Sequence, residues 1–153
     1  MNILLSVLMD AFFIALLIYC SYTDLKRREI SNLLIVLLLS LGIIHAVFIG
    51  LSGNPWWTYL VSTLFAIPFF ISWMRSKIGA GDVKLIMVIA LYLGLWWIII
   101  AFALMIPTIV GIIIWSLLKK KTLKVRVPFA PVLAVGAIGA VVVNYISLIG
   151  LSQ

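Results

Sequence analysis

The chain has 153 residues, of which 66% are hydrophobic and 10% charged, and its formal net charge is +7. A soluble domain of this length needs a polar exterior, which a mean hydropathy of +1.34 does not supply. The sequence therefore reads as an all-α, polytopic membrane protein with almost all of its length inside the bilayer. A single cysteine, Cys20, excludes an internal disulfide and any cysteine-rich metal site. The 11 Lys and Arg fall in three short stretches, 26–28, 75–84 and 119–126. That is the distribution of loops between apolar spans, which set topology and touch anionic lipid headgroups. No nucleic-acid partner is expected.

A span needs about 20 apolar residues to cross roughly 30 Å of hydrocarbon. Residues 3–22 meet that length, exceed a signal-peptide core and lack a small-residue cleavage site, so they are expected to stay as a span. Residues 31–51 and 56–74 make the second and third. A glycine-rich turn leads into a shorter fourth, 82–97. The fifth is 98–118, where Pro107 predicts a kink. The sixth, 128–149, is opened by Pro128 and Pro131, which suit a first helical turn. Residues 1–153 thus read as one domain of six spans, with both termini outside and the basic loops cytoplasmic. Neither the turn at 52–55 nor the one near Gly94 carries a basic residue, as this topology requires. Trp56, Trp57, Trp96 and Trp97 fall at the outer interface, and Trp73 and Trp115 at the inner one.

Only four acidic residues occur, Asp10, Asp24, Glu29 and Asp82. Ionisable groups at the edge of hydrocarbon are costly and tend to mark a site. The topology puts Asp24 at the cytoplasmic end of span one and Asp82 at the cytoplasmic start of span four. At 1.5 Å per residue that fourth span reaches only about 24 Å. Asp82 is therefore expected below the inner surface, in a wet pocket. Two carboxylates at one depth can cleave a peptide bond without a metal. One takes a proton from water while the other protonates or polarises the scissile carbonyl, and the pair shares a single proton. The sequence does not say which of the two is the base. Gly79 and Gly81 would let backbone approach Asp24 and an extended substrate closely. Lys84 reads as a modulator of the pair, a lipid-phosphate contact or a topological anchor.

The run Gly79-Ala80-Gly81-Asp82-Val83-Lys84-Leu85 has the form GxGDxKL at the mouth of a span. With Asp24 followed by Glu29-Ile30-Ser31-Asn32, and with Val127-Pro128-Phe129-Ala130-Pro131 before the last span, it resembles the type IV prepilin peptidases and their archaeal preflagellin relatives, the GxGD membrane aspartyl proteases. The resemblance covers nearly the whole chain in motif order and span count. It implies Asp24 and Asp82 as catalytic residues. Gly79, Gly81, Lys84, Asn32, Pro128 and Phe129 would be supporting or substrate-proximal. No metal or cofactor is implied. The implied substrates are pilin-like precursors with a short basic leader before an apolar helix, cut at the cytoplasmic face of the cell membrane. Two departures stand out. Ser31 occupies the place of a proline common before the Asn32 position, and the cytoplasmic region with paired Cys-x-x-Cys motifs found in long members is missing. Peptidase activity without N-methylation is the resulting expectation.

Plainer roles compete at each position. Asp82 suits a helix N-cap, and Glu29 a surface salt bridge. Asp10 lies about 21 Å from Asp24 along a helix and cannot join the pair. Snorkelling to the outer interface is expected of it, although His45 and Asn144 at comparable depth could complete a polar cluster. His45 otherwise reads as a helix-packing residue. The run Gly136-Ala137-Ile138-Gly139-Ala140 predicts close helix packing. The rival function is a small ion-coupled transporter or channel that uses Asp24 and Asp82 as a relay, against which both acids sit near one surface. A presenilin-like protease would carry a Pro-Ala-Leu motif and aspartates on adjacent spans, and this sequence has neither.

Overall fold

The computed structural model describes residues 3–75, 78–118 and 129–150. The basic stretch 119–126 and Pro128 lie outside the described residues. Every regular element within them is helical: α1 (Ile3–Arg27), α2 (Asn32–Leu51), α3 (Trp57–Ser62), a 3-10 turn (Thr63–Ala66), α4 (Ile67–Met74), α5 (Ala80–Leu118) and α6 (Phe129–Gly150). Among them, five stretches are long and apolar enough to cross a membrane: Leu4–Arg27, Asn32–Leu51, Trp57–Met74, Ala80–Trp115 and Phe129–Ser147. Together with the outward display of Leu4, Leu51, Trp96 and Leu118, each more than 70% exposed, they describe an integral membrane protein whose apolar faces meet lipid.

The 3-10 turn has a local cause. Pro68 has no N–H to offer the Leu64 carbonyl, and the N–H of Ile67 takes that carbonyl at three-residue spacing instead. Pro107 sits inside α5 with its backbone helical, and the non-helical backbone in that element is at Gly94, with φ 77° and ψ 175°. Two helical segments therefore meet at Gly94, a few residues before the boundary expected after residue 97. A positive φ is cheap only for glycine. A side chain at this position would also meet the Tyr59 ring, 3.1 Å from where its Cβ would lie.

The first segment of α5 is the hub. Leu85, Ile86, Ile89 and Tyr92 are fully buried within it, and Val83, Val88, Ala90, Leu91 and Leu93 nearly so. A helix apolar all round belongs in the interior; α2, α3 and α6 pack closely on α5, and α1 reaches it through side chains. Phe13, Leu17 and Cys20 from α1, Leu38 from α2 and Leu133, Ala137 and Ala140 from α6 complete the core. The Phe13 and Tyr92 rings stack with centroids 3.9 Å apart. By contrast α4 is peripheral. The packing of α3 includes a polar tie: the hydroxyl of Ser62, the one buried polar residue among those described, lies 2.6 Å from the Ala90 carbonyl.

On α6 the small residues do what their spacing predicts. A Cβ added at Gly136 would overlap the carbonyl oxygen of Ala101, so the second segment of α5 and α6 approach backbone to backbone. Between helices in lipid, such contact is a main source of cohesion, since burial of apolar surface gives little there.

Candidate active site

Asp24 stands in the last turn of α1, half-buried. The helix stops at Arg27 because Arg28 enters the left-handed region, φ 53°, while its N–H still bonds the Asp24 carbonyl at 2.9 Å. Three residues later Ser31 caps α2, its hydroxyl accepting the Leu33 N–H at 3.3 Å. This short reversal pins Ile30 against Gly81, where a Cβ would lie 3.3 Å from that of Ile30. A larger residue at 81 would push the glycine turn away from the end of α1.

Asp82 lies in the first turn of α5, also half-buried. Its Oδ2 comes within 3.2 Å of the position a Cβ on Gly79 would take, so the carboxylate folds back over its own turn. Asp24 and Asp82 are near enough for the charge of the first to act on the second. Two carboxylates from helices distant in sequence thus share one electrostatic environment. Gly79 and Ala80 beside them are exposed, so the site opens to the surface.

A third element closes the site. The Ala130 N–H, in the first turn of α6, donates to Asp24 Oδ2 at 3.2 Å. The first N–H groups of a helix have no partner within it and carry the positive end of its dipole. Asp24 supplies the missing acceptor and sits in that field. The sequence could not show this contact, because the donor is a backbone group whose residue type carries no information. The only hint was the Pro-Phe-x-Pro signature of a helix start.

The remaining predicted residues distribute as follows. The Lys84 ammonium donates to Asn32 Oδ1 at 3.1 Å, tying α5 to the first residue of α2 on an exposed rim. Phe129 packs partly against the core, next to Ala130. Pro128 is outside the described residues. Glu29 is exposed. A cavity of about 230 Å³ beside the end of α1 is lined by Tyr22, Thr23, Lys26, Arg27 and Ser31. No three His, Cys, Asp or Glu side chains among the described residues converge as a metal site requires.

At the other end of the helices the expectation for Asp10 fails. It does not snorkel. The hydroxyls of Tyr92 and Tyr145 donate to its two oxygens at 2.6 Å each, so α1, α5 and α6 are joined through one carboxylate. His45 is a packing residue, as expected, and a bonded one: its Nδ1 lies 3.0 Å from the Tyr92 carbonyl and its ring stacks on Tyr92. Phenol partners make an inward orientation cheaper than reaching for water.

The sequence profile of the type IV leader peptidase family matches residues 11–117. That stretch includes Asp24, Asn32, the glycine turn and Asp82; Asp10 and all of α6 fall outside it. No curated protein and no solved structure matches the chain.

Proposed function

The chain belongs to the type IV leader peptidase family, and from that premise we propose that it is a membrane aspartyl endopeptidase, one transmembrane domain over residues 1–153, that removes the short basic leader of pilin-like precursors. The observation that carries the reading is that Asp24 and Asp82, from α1 and α5, lie near enough at an exposed end of the helices for the charge of one to act on the other.

The chemistry follows from that pairing. One carboxylate removes a proton from water as its oxygen attacks the scissile carbonyl carbon. The other gives its proton to the carbonyl oxygen. Collapse of the tetrahedral intermediate breaks the C–N bond, and the departing amine takes up the proton first drawn from water. We assign the base to Asp24, because the first turn of α6 meets its carboxylate with an N–H and a dipole that favour an anion. Asp82 is then the acid. Gly79 and Gly81 keep the approach to the pair low, so that an extended segment can reach it.

Two observations support six spans, and the basic residues beside Asp24 and Asp82 favour the cytoplasmic side for both. A straight helix of 39 residues would run about 58 Å, nearly twice the hydrocarbon thickness. The aromatic contacts favour a reversal at Gly94. Tyr59 sits beside Gly94, yet Phe65 and Phe69, further along the same descending stretch, pack on Phe102 with centroids 5.0 and 5.4 Å away. Both hold only if the second segment of α5 doubles back. The basic stretches then line the cytoplasmic face, where anionic headgroups have Lys26 and Arg27 to meet, and a precursor's apolar helix would bind from within the membrane.

The test is co-expression with a pilin-like precursor of wild type, Asp24→Asn and Asp82→Asn. Mature product should vanish in both variants while each still purifies as a folded membrane protein. Normal processing by either variant defeats the assignment.

A further inference from the structure

The second polar centre lies away from the catalytic pair and outside the stretch matched by the family profile at both Asp10 and Tyr145. A cavity of about 190 Å³ opens there between α1, α2, α3, α5 and α6. That is several times the roughly 30 Å³ share of one liquid water. Its wall carries the Asp10 carboxylate, the Asn144 amide and the Ser6 hydroxyl, together with the rings of Tyr59, Tyr92 and Trp97. Neither a lysine nor an arginine lines it.

Three features of this wall specify a ligand. Asp10 accepts a hydrogen from each of two phenols; a carboxylate uses only part of its acceptor capacity in doing so. His45 has its Nδ1 committed to the Tyr92 carbonyl, which can only accept, so Nδ1 holds the hydrogen and Nε2 is left as the second ring nitrogen. No hydrogen bond among the described residues engages the side chain of Asn144. Acceptors without a cation of their own, set among aromatic faces, suit a group with several N–H donors and one positive charge. A hard metal ion wants six or more oxygens that converge on it, whereas the Tyr92 and Tyr145 hydroxyls here are turned to Asp10 as donors. An anion would meet Asp10.

We propose that the Asp10–Tyr92–Tyr145 cavity binds a primary ammonium group, with Asp10 as its counter-charge, Asn144 as a second acceptor and the tyrosine and tryptophan rings as its walls. The group could belong to a soluble amine or to an ethanolamine lipid headgroup, since both present the same –NH3+.

The test uses the full-length chain in detergent, titrated with ethanolamine hydrochloride. Binding is read by tryptophan fluorescence, to which Trp97 reports directly, and by the unfolding temperature. Sodium chloride and tetramethylammonium chloride at matched ionic strength are the controls. A saturable response to ethanolamine is expected, with none to either control. Asp10→Asn should raise the concentration for half-saturation at least tenfold. Asn144→Ala should raise it severalfold while leaving the unfolding temperature without amine unchanged, which keeps the test decisive if the Asp10 variant does not fold. In nanodiscs, phosphatidylethanolamine in place of phosphatidylcholine should raise the ethanolamine needed if the headgroup is the natural occupant; no competition assigns the site to a soluble amine. Absence of saturation, an equal response to sodium, or undiminished binding by both variants overturns the proposal.

Discussion

Asp24 holds two positions at once, in the carboxylate pair and against the first turn of α6, and substitution separates them. Asparagine keeps an acceptor oxygen where the Ala130 N–H reaches 3.2 Å, but it cannot take a proton from water. Alanine removes both. Ala130 is 1% exposed, so its N–H would lose its acceptor in a place water reaches poorly. An unsatisfied buried donor costs about 1–3 kcal/mol. At about 2–4 °C per kcal/mol for a chain of this size, Asp24→Ala should unfold on the order of 2–12 °C below Asp24→Asn. Loss of a general acid–base group lowers the rate by about 10²–10⁴-fold, some 3–5 kcal/mol of barrier, and both variants should show it. Scanning fluorimetry in one detergent, with quantitative blotting of precursor and product, reads the two effects separately. Equal unfolding temperatures would refute the helix-capping role. Cleavage retained by Asp24→Asn would refute the catalytic one.

Other substitutions test the supporting frame. Gly136→Ala should lower stability by about 1–3 kcal/mol, because its Cβ runs into the Ala101 carbonyl; Gly111→Ala, which meets nothing within 4 Å, should leave the unfolding temperature within a degree or two by the same fluorimetry. Gly94→Ala must hold a side chain at φ 77° and ψ 175° beside the Tyr59 ring, and a cost of about 1–3 kcal/mol should appear in its detergent unfolding curve. Lys84→Met loses only the exposed bond to Asn32, so about 0.5–1.5 kcal/mol at most should go, and precursor processing should stay within severalfold of wild type.

What the sequence disclosed and what it hid divide along physical lines. Hydropathy marks the apolar helices because lipid demands long uninterrupted runs, and the acids stand out because that background is so apolar. Asp24 and Asp82 drew notice as a pair for the same reason: few polar residues remain to be paired. The Gly94 break was harder to place. Leu, Tyr and Trp on either side continue the apolar run, so only the glycine itself and the length of the stretch signalled a turn, and the aromatic pair was read as part of the preceding span. Pro107 keeps helical backbone, since in lipid a proline's cost is met by its surroundings. Asp10 was misjudged because its partners, Tyr92 and Tyr145, stand 82 and 135 positions away. Tyrosine in a span reads as an interfacial anchor until a fold brings its hydroxyl inward.

The reach of Asp24 to Ala130 also bears on biogenesis. The two groups are 106 positions apart, so at the roughly 5–20 residues per second of translation the first helix waits some 5–20 seconds for its last neighbour. Asp82 follows Asp24 by 58 positions, so only in the later part of that interval does the nascent protein own both acids, still without the amide that steadies one of them. A chain assembled in this order completes the surroundings of Asp24 only when its final helix enters the bilayer.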